Sequence, residues 1–143
     1  MTYPVILSIC GKQSYEDQEP ETIELVTEGT LQRHGDGWAL SYQETELTGL
    51  NGVTTTFLVE PGVVTLARKG PLNSTMVFQE GVPHQSLYRM EFGALMITVC
   101  ARKVAFELSE AGGFIDLDYA IEIEQTAAGT ILYHLDVRPK EAV

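Results

Sequence analysis

Gly112-Gly113-Phe114-Ile115-Asp116-Leu117-Asp118-Tyr119-Ala120-Ile121-Glu122-Ile123-Glu124 alternates apolar and acidic side chains almost residue by residue. Ile115, Leu117, Tyr119, Ile121 and Ile123 share one parity, and Asp116, Asp118, Glu122 and Glu124 the other. That is the period of a β-strand with one dry face and one wet face. Ala127-Ala128-Gly129 reads as a turn, after which Ile131, Tyr133, Leu135 and Val137 repeat the alternation. Two such runs side by side predict an antiparallel hairpin rather than a helix, whose apolar residues would recur every three to four positions.

The same reading extends to the rest of the chain. Tyr3, Val5, Leu7 and Ile9 alternate, an acidic loop with Glu16, Asp17, Glu19 and Glu21 follows, and Ile23, Leu25, Thr27, Gly29 and Leu31 alternate again. His34-Gly35-Asp36-Gly37 turns into Trp38, Leu40 and Tyr42, and Asn51-Gly52 into Val53, Thr55, Phe57 and Val59. Pro61-Gly62 leads to Val64, Leu66 and Arg68, and Gly70-Pro71-Leu72-Asn73 to Met76 and Phe78. Gly81-Val82-Pro83 opens His84, Ser86, Tyr88, Met90 and Phe92, and Gly93 starts Leu95, Ile97 and Val99. These turns carry the residues that tolerate positive φ or preset a bend. At one place the parity breaks: Leu95, Ile97 and Val99 are odd, whereas Val104, Phe106 and Leu108 are even. A one-residue bulge between Ala101 and Lys103 keeps both sets on one face of a long bent strand.

The result is about ten strands joined by short turns, which favour antiparallel pairing of sequence neighbours. A meander of that length has two edges unless it closes, so the fold class is all-β: a single antiparallel up-and-down β-barrel over residues 1–143. No linker or repeat divides the chain.

Composition narrows the partners. The chain has 143 residues with 20 acids against 9 Lys and Arg, a net charge of −11. Such a balance opposes binding to nucleic acid or to an anionic membrane surface. Two cysteines, Cys10 and Cys100, are too few for a disulfide scaffold, and no basic, uninterrupted apolar leader is present at the N-terminus, so the expected compartment is the cytoplasm. Charge is uneven: residues 1–60 carry 10 acids and 2 bases, residues 61–110 carry 4 and 5, and residues 111–143 carry 6 and 2. Arg68, Lys69, Arg89, Arg102 and Lys103 are thus expected to form a local positive patch on an acidic body.

Several segments point to a family. Glu24-Leu25-Val26-Thr27-Glu28-Gly29, Leu40 to Leu50 with Gly52-Val53-Thr54-Thr55-Thr56, Asn73-Ser74-Thr75-Met76-Val77-Phe78 followed by His84 and Leu87-Tyr88, and Gly93-Ala94-Leu95 together resemble the YwiB-like proteins. The resemblance spans nearly the whole chain. It implies a calycin-like barrel, akin in shape to lipocalins and fatty-acid-binding proteins, in bacterial cytoplasm. It implies no activity and carries over no site residues.

Chemistry is therefore read from the polar residues of inward parity: Tyr42, Glu44, Thr55, Arg68, His84, Ser86, Tyr88, Tyr119 and Tyr133. A mostly apolar interior with a few convergent polar groups is the general form of a small-molecule site. The leading expectation is a non-enzymatic barrel holding a small, partly apolar ligand. Arg68 is its anchor for an anionic group, and Tyr42, Glu44, His84 and Tyr88 complete the binding set. Arg68 has an equal second role, pairing internally with Glu44, because a buried charge needs a partner. One alternative is a barrel filled by Trp38, Phe57, Phe78, Phe92, Phe106 and the tyrosines, acting through its surface. A homodimer through the apolar Met96 and Cys100 face would be one such case. The other is an enzyme using His84 as base with Glu44. His34, His84 and His134 fall singly on different elements, with no metal-ligand spacing, so neither metal nor cofactor is expected.

Overall fold

A computed structural model describes residues 2–15, 18–46, 50–90 and 93–140. Glu16, Asp17 and Phe92, to which the sequence reading assigned places, lie outside the described residues. The ten expected strands are present: β1 (Thr2–Ser14), β2 (Glu21–His34), β3 (Gly37–Gln43), β4 (Thr54–Glu60), β5 (Val63–Lys69), β6 (Ser74–Phe78), β7 (Pro83–Met90), β8 (Gly93–Ser109), β9 (Gly112–Ile123) and β10 (Thr126–Pro139). They form one antiparallel sheet in the order β6-β5-β4-β3-β2-β1-β10-β9-β8-β7. Consecutive strands neighbour each other, and the first pairs with the last from Val5↔Pro139 to Ser14↔Thr130. The sheet is thus a nearly closed up-and-down barrel whose break falls between β6 and β7.

The parity break is a bulge, as the spacing predicts. The β8–β9 register slips between Ala101 and Lys103, so Ile97 and Val99 before it and Val104 and Phe106 after it share the interior face. The slip gives the Ala101 carbonyl a partner off the ladder: it accepts the Gly81 N–H at 3.1 Å, tying the β6–β7 turn to β8.

One turn differs from its expected place. β9 and β10 are joined at Glu124-Gln125, both with positive φ (51° and 69°), and Ala127 to Gly129 is a bulge inside β10. Positive φ at both central residues gives the twist that suits a tight hairpin. Glu124 holds the turn down: its N–H donates to the Met96 carbonyl and its Oε1 accepts the Met96 N–H, each at 2.9 Å. Small residues are needed at the bulge instead, because a Cβ on Gly129 would press on the Ser14 carbonyl and the Tyr15 ring.

Inward side chains pack one end of the barrel solid. Val5, Leu7, Leu31, Leu40, Phe57, Val59, Val64, Phe78, Ile115 and Leu135 are buried there, with Phe78 edge-on to Tyr119 at 4.6 Å between ring centroids. Arg33 lies over the Trp38 ring, 4.8 Å from its centroid. The outer faces of β9 and β10 carry charge. His134 bonds Asp116 through Nδ1 and Asp136 through Nε2, the latter at 2.9 Å. Asp116 raises the His134 pKa above its usual 6.5, opposed by partial burial and aided by Asp136. The expected positive patch is weaker than the residue count suggests, because Arg102 is held by Asp118 at 2.6 Å.

Two outcomes are expected. Leu7→Ala, at a fully buried position, lowers stability by about 2–5 kcal/mol, whereas Val26→Ala, 65% exposed, stays within about 0.5 kcal/mol; urea midpoints at unchanged slope measure both. A histidine whose pKa is raised on folding stabilises fully below its unfolded value and loses that contribution as pH rises through the folded value. Stability accordingly declines above about pH 6.5, and His134→Asn flattens that decline in thermal melts taken across pH.

Candidate functional site

The other end of the barrel is open. There the C-terminal ends of β1, β3, β5, β7 and β9 alternate with the N-terminal ends of the remaining strands around a cavity of about 350 Å³. Its walls are largely apolar: Ile9, Leu25, Met76, Ile97, Ile121 and Ile131, with Ile23 and Leu50 also lining it. Into it project Tyr42, Glu44, Arg68, Tyr88, Tyr119 and Tyr133, with Gln13 and Tyr15 at the end of β1.

The polar groups converge because neighbouring strands place them in register. Tyr42 pairs with Thr55, Thr55 with Arg68 and Arg68 with Ser74 across β3, β4, β5 and β6. Glu44 is one pleat beyond Tyr42 and faces the same way. Its carboxylate is buried and accepts the Thr55 hydroxyl at 2.6 Å, with Arg68 Nε at 3.9 Å from the same oxygen. That separation exceeds the 2.7–2.9 Å of a direct charge-assisted bond, so the attraction is Coulombic and Nε has no hydrogen-bond partner among the described residues. Arg68 keeps 19% of its side chain accessible against 1% for Glu44. The cation therefore still faces the cavity while the anion is sealed behind it.

Tyr42, Tyr119 and Tyr133 are held as neutral donors. Burial pushes the Tyr42 phenol up to about 12, reinforced by the Glu44 charge; a hydrogen bond with Tyr133 and the Arg68 charge act against this. Tyr133 is raised by burial, then by Tyr42, and Tyr119 by burial, with the Arg68 cation opposing in both. Beneath Arg68, a void of about 20 Å³ is bounded by Phe57, Leu66, Phe78, Leu117, Tyr119 and Tyr133. It marks the boundary between the open end and the packed end.

The family model described as a domain of unknown function, DUF1934, matches residues 7–135. The chain belongs to that family. A solved structure of the YwiB protein from Bacillus subtilis is similar at a TM-score of 0.82 and 23% identity, covering 98% of this chain and 94% of that one. At that identity the likeness carries the fold alone, and it agrees with the resemblance read from the sequence. No curated protein matches the chain.

Of the five residues expected to form the binding set, Arg68, Tyr42, Glu44 and Tyr88 line the cavity. His84 does not. It lies nearer the packed end of β7, half-buried, with Nε2 at 3.1 Å from Gln79 Oε1. The proposed His84 and Glu44 pair is therefore not assembled at the cavity: the strand runs on from His84 to Tyr88, and only Tyr88 reaches that end. Tyr119 and Tyr133, noted only as inward tyrosines, join the site, as do Gln13 and Tyr15. The parity of β9 and β10 marked the first two; which layer of the barrel they occupy depends on strand stagger. Met96 and Cys100 are half-buried rather than an open apolar face, and among the described residues the most exposed large apolar side chains are instead Val26 and Leu132. Among the described residues no group of three or more His, Cys, Asp or Glu is placed to hold a metal.

Removing the hydroxyl that serves the buried carboxylate has a defined cost. Thr55→Val is expected to destabilise by about 1–3 kcal/mol in urea titration. The raised phenol pKa gives a second check. Unfolded tyrosine ionises near pH 10 while Tyr42 in the fold does so near 12, so stability falls as pH climbs through that interval, and Tyr42→Phe reduces the slope.

Proposed function

We propose that this protein is a calycin-like binding barrel that holds a small, partly apolar molecule in the cavity at its open end and receives an anionic group of it on Arg68. The supporting observation is one arrangement: a cavity of about 350 Å³, within the range of small-molecule sites, whose mainly apolar wall converges on a single partly accessible guanidinium. Apolar burial supplies affinity. The Arg68 Nε–H lacks a hydrogen-bond partner among the described residues, and a carboxylate or sulfonate oxygen would satisfy it. Tyr42, Tyr88, Tyr119 and Tyr133 add phenol donors that fix the orientation of the bound group. Glu44 balances the cation when the site is empty, which lowers the cost of keeping a charge in an apolar chamber. Binding without reaction is the favoured reading because His84, the candidate base, sits apart from the cavity.

Native mass spectrometry on gently purified protein tests this directly: a retained small molecule that is released on denaturation is expected. 1-Anilinonaphthalene-8-sulfonate, an aromatic anion, serves as a defined probe. Arg68→Met with Glu44→Gln removes both charges together and so avoids stranding a buried carboxylate. This double variant is expected to bind the probe about ten- to a hundredfold more weakly at unchanged fold, the scale of a lost charged hydrogen bond. Equal affinity in the folded double variant excludes the anchor role.

A further inference from the structure

The barrel is laddered everywhere except between β6 and β7, the two ends of the sheet order. Among the described residues these strands lie side by side but pair through the backbone only at two isolated bridges, Asn73↔Arg89 at the cavity end and Gln79↔Val82 at the turn. Between the bridges β6 supplies five residues, 74–78, and β7 supplies six, 83–88. The two bridges are thus one residue out of register, and no continuous ladder satisfies both. In β8 the same mismatch is absorbed by a bulge against β9; here it leaves the strands unzipped. Pro83 removes one more donor from the β7 edge.

Burial along the seam agrees. The inward residues of β7, His84, Ser86 and Tyr88, are only half-buried, and Leu87 on its outer side is 42% exposed. Ser74 Oγ on β6 is buried with no hydrogen-bond partner. Side chains close what the backbone does not, with His84 Nε2 and Gln79 Oε1 at 3.1 Å near the turn. The cavity reaches this seam, since Met76 on β6 and Tyr88 on β7 are both in its wall.

We infer that the β6–β7 seam is the side door of the cavity, through which an apolar ligand enters and leaves as the two strands part. Parting them breaks no ladder: the bridges stay as hinges at either end, and Met76 and Tyr88 move apart as the door leaves. This rests on the binding reading above for its cargo but not for its mechanics.

The test locks the door. Continuing the register of Asn73↔Arg89 places Thr75 opposite Leu87, both exposed, so Thr75→Cys with Leu87→Cys allows a disulfide across the seam. The probe is 1-anilinonaphthalene-8-sulfonate, followed by stopped-flow fluorescence in the oxidised and the reduced variant. Wild type under the same oxidant controls for Cys10 and Cys100. Association and dissociation are both expected to slow at least tenfold on oxidation, with affinity nearly unchanged and full recovery on reduction. Unchanged rates in the oxidised form overturn the side door and assign entry to the open end beside Tyr15 and Leu50. Hydrogen exchange of the seam supplies a readout that needs no ligand. The amides of Thr75, Val77, Gln85 and Leu87, which share the seam-facing parity of Asn73 and Arg89, are expected to exchange much faster than those of β1 and β10, and equal protection overturns the proposal. A probe that fails to bind wild type removes the binding reading, while the exchange pattern still decides whether the seam opens.

Discussion

The antiparallel ladder between β1 and β10 is the constraint on which the remaining architecture depends. A meander of ten strands with short turns has a free edge at each end, and edges are where backbone donors and acceptors stand unpaired. By joining the first strand to the last along most of their lengths, the chain moves the break in the described sheet to the middle of the sequence, between two short strands. Closure in turn creates an inside. Inward side chains from Val5 to Val137 then pack across strands distant in sequence, and the alternation of the strands yields a single core cluster.

The interior has two regimes because the inward residues change character along the barrel axis. Towards one end they are branched or aromatic and fill the space, with Phe57, Phe78, Leu40 and Ile115 buried to within a few per cent. Towards the other they are tyrosines, a carboxylate and a guanidinium, whose polar tips cannot interdigitate as hydrocarbon does. The choice between a filled barrel and an open one is thus no choice at all. The packed half holds the sheet in shape, and that rigidity keeps Thr55, Glu44 and Arg68 in register around the chamber.

Glu44 and Arg68 also explain how a charged group is kept in an apolar setting. Fully paired and sealed, the two would be a structural element with nothing left to offer. At 3.9 Å, with the carboxylate satisfied by Thr55 and the guanidinium still accessible, the pair is balanced in charge but incomplete in hydrogen bonding. Both roles foreseen for Arg68, internal partner and outward donor, are compatible with this geometry.

Sequence alone determined the strands, their parity and the bulge between Ala101 and Lys103, because a strand with one dry face must alternate and any slip must show as a change of parity. It likewise determined which polar residues face inward: Arg68, Tyr42, Glu44 and Tyr88 were legible from spacing. The position of each along the barrel axis was not, since that depends on how far neighbouring strands are staggered. Stagger separates His84 from the cavity and brings in Tyr119 and Tyr133. The turn at Glu124-Gln125 escaped the pattern for a related reason: its conformation is held by the bonds between Glu124 and Met96 rather than by glycine or proline. The open seam, too, was decided only in three dimensions, where five residues of one strand must face six of another and one continuous ladder cannot join the bridges at both ends.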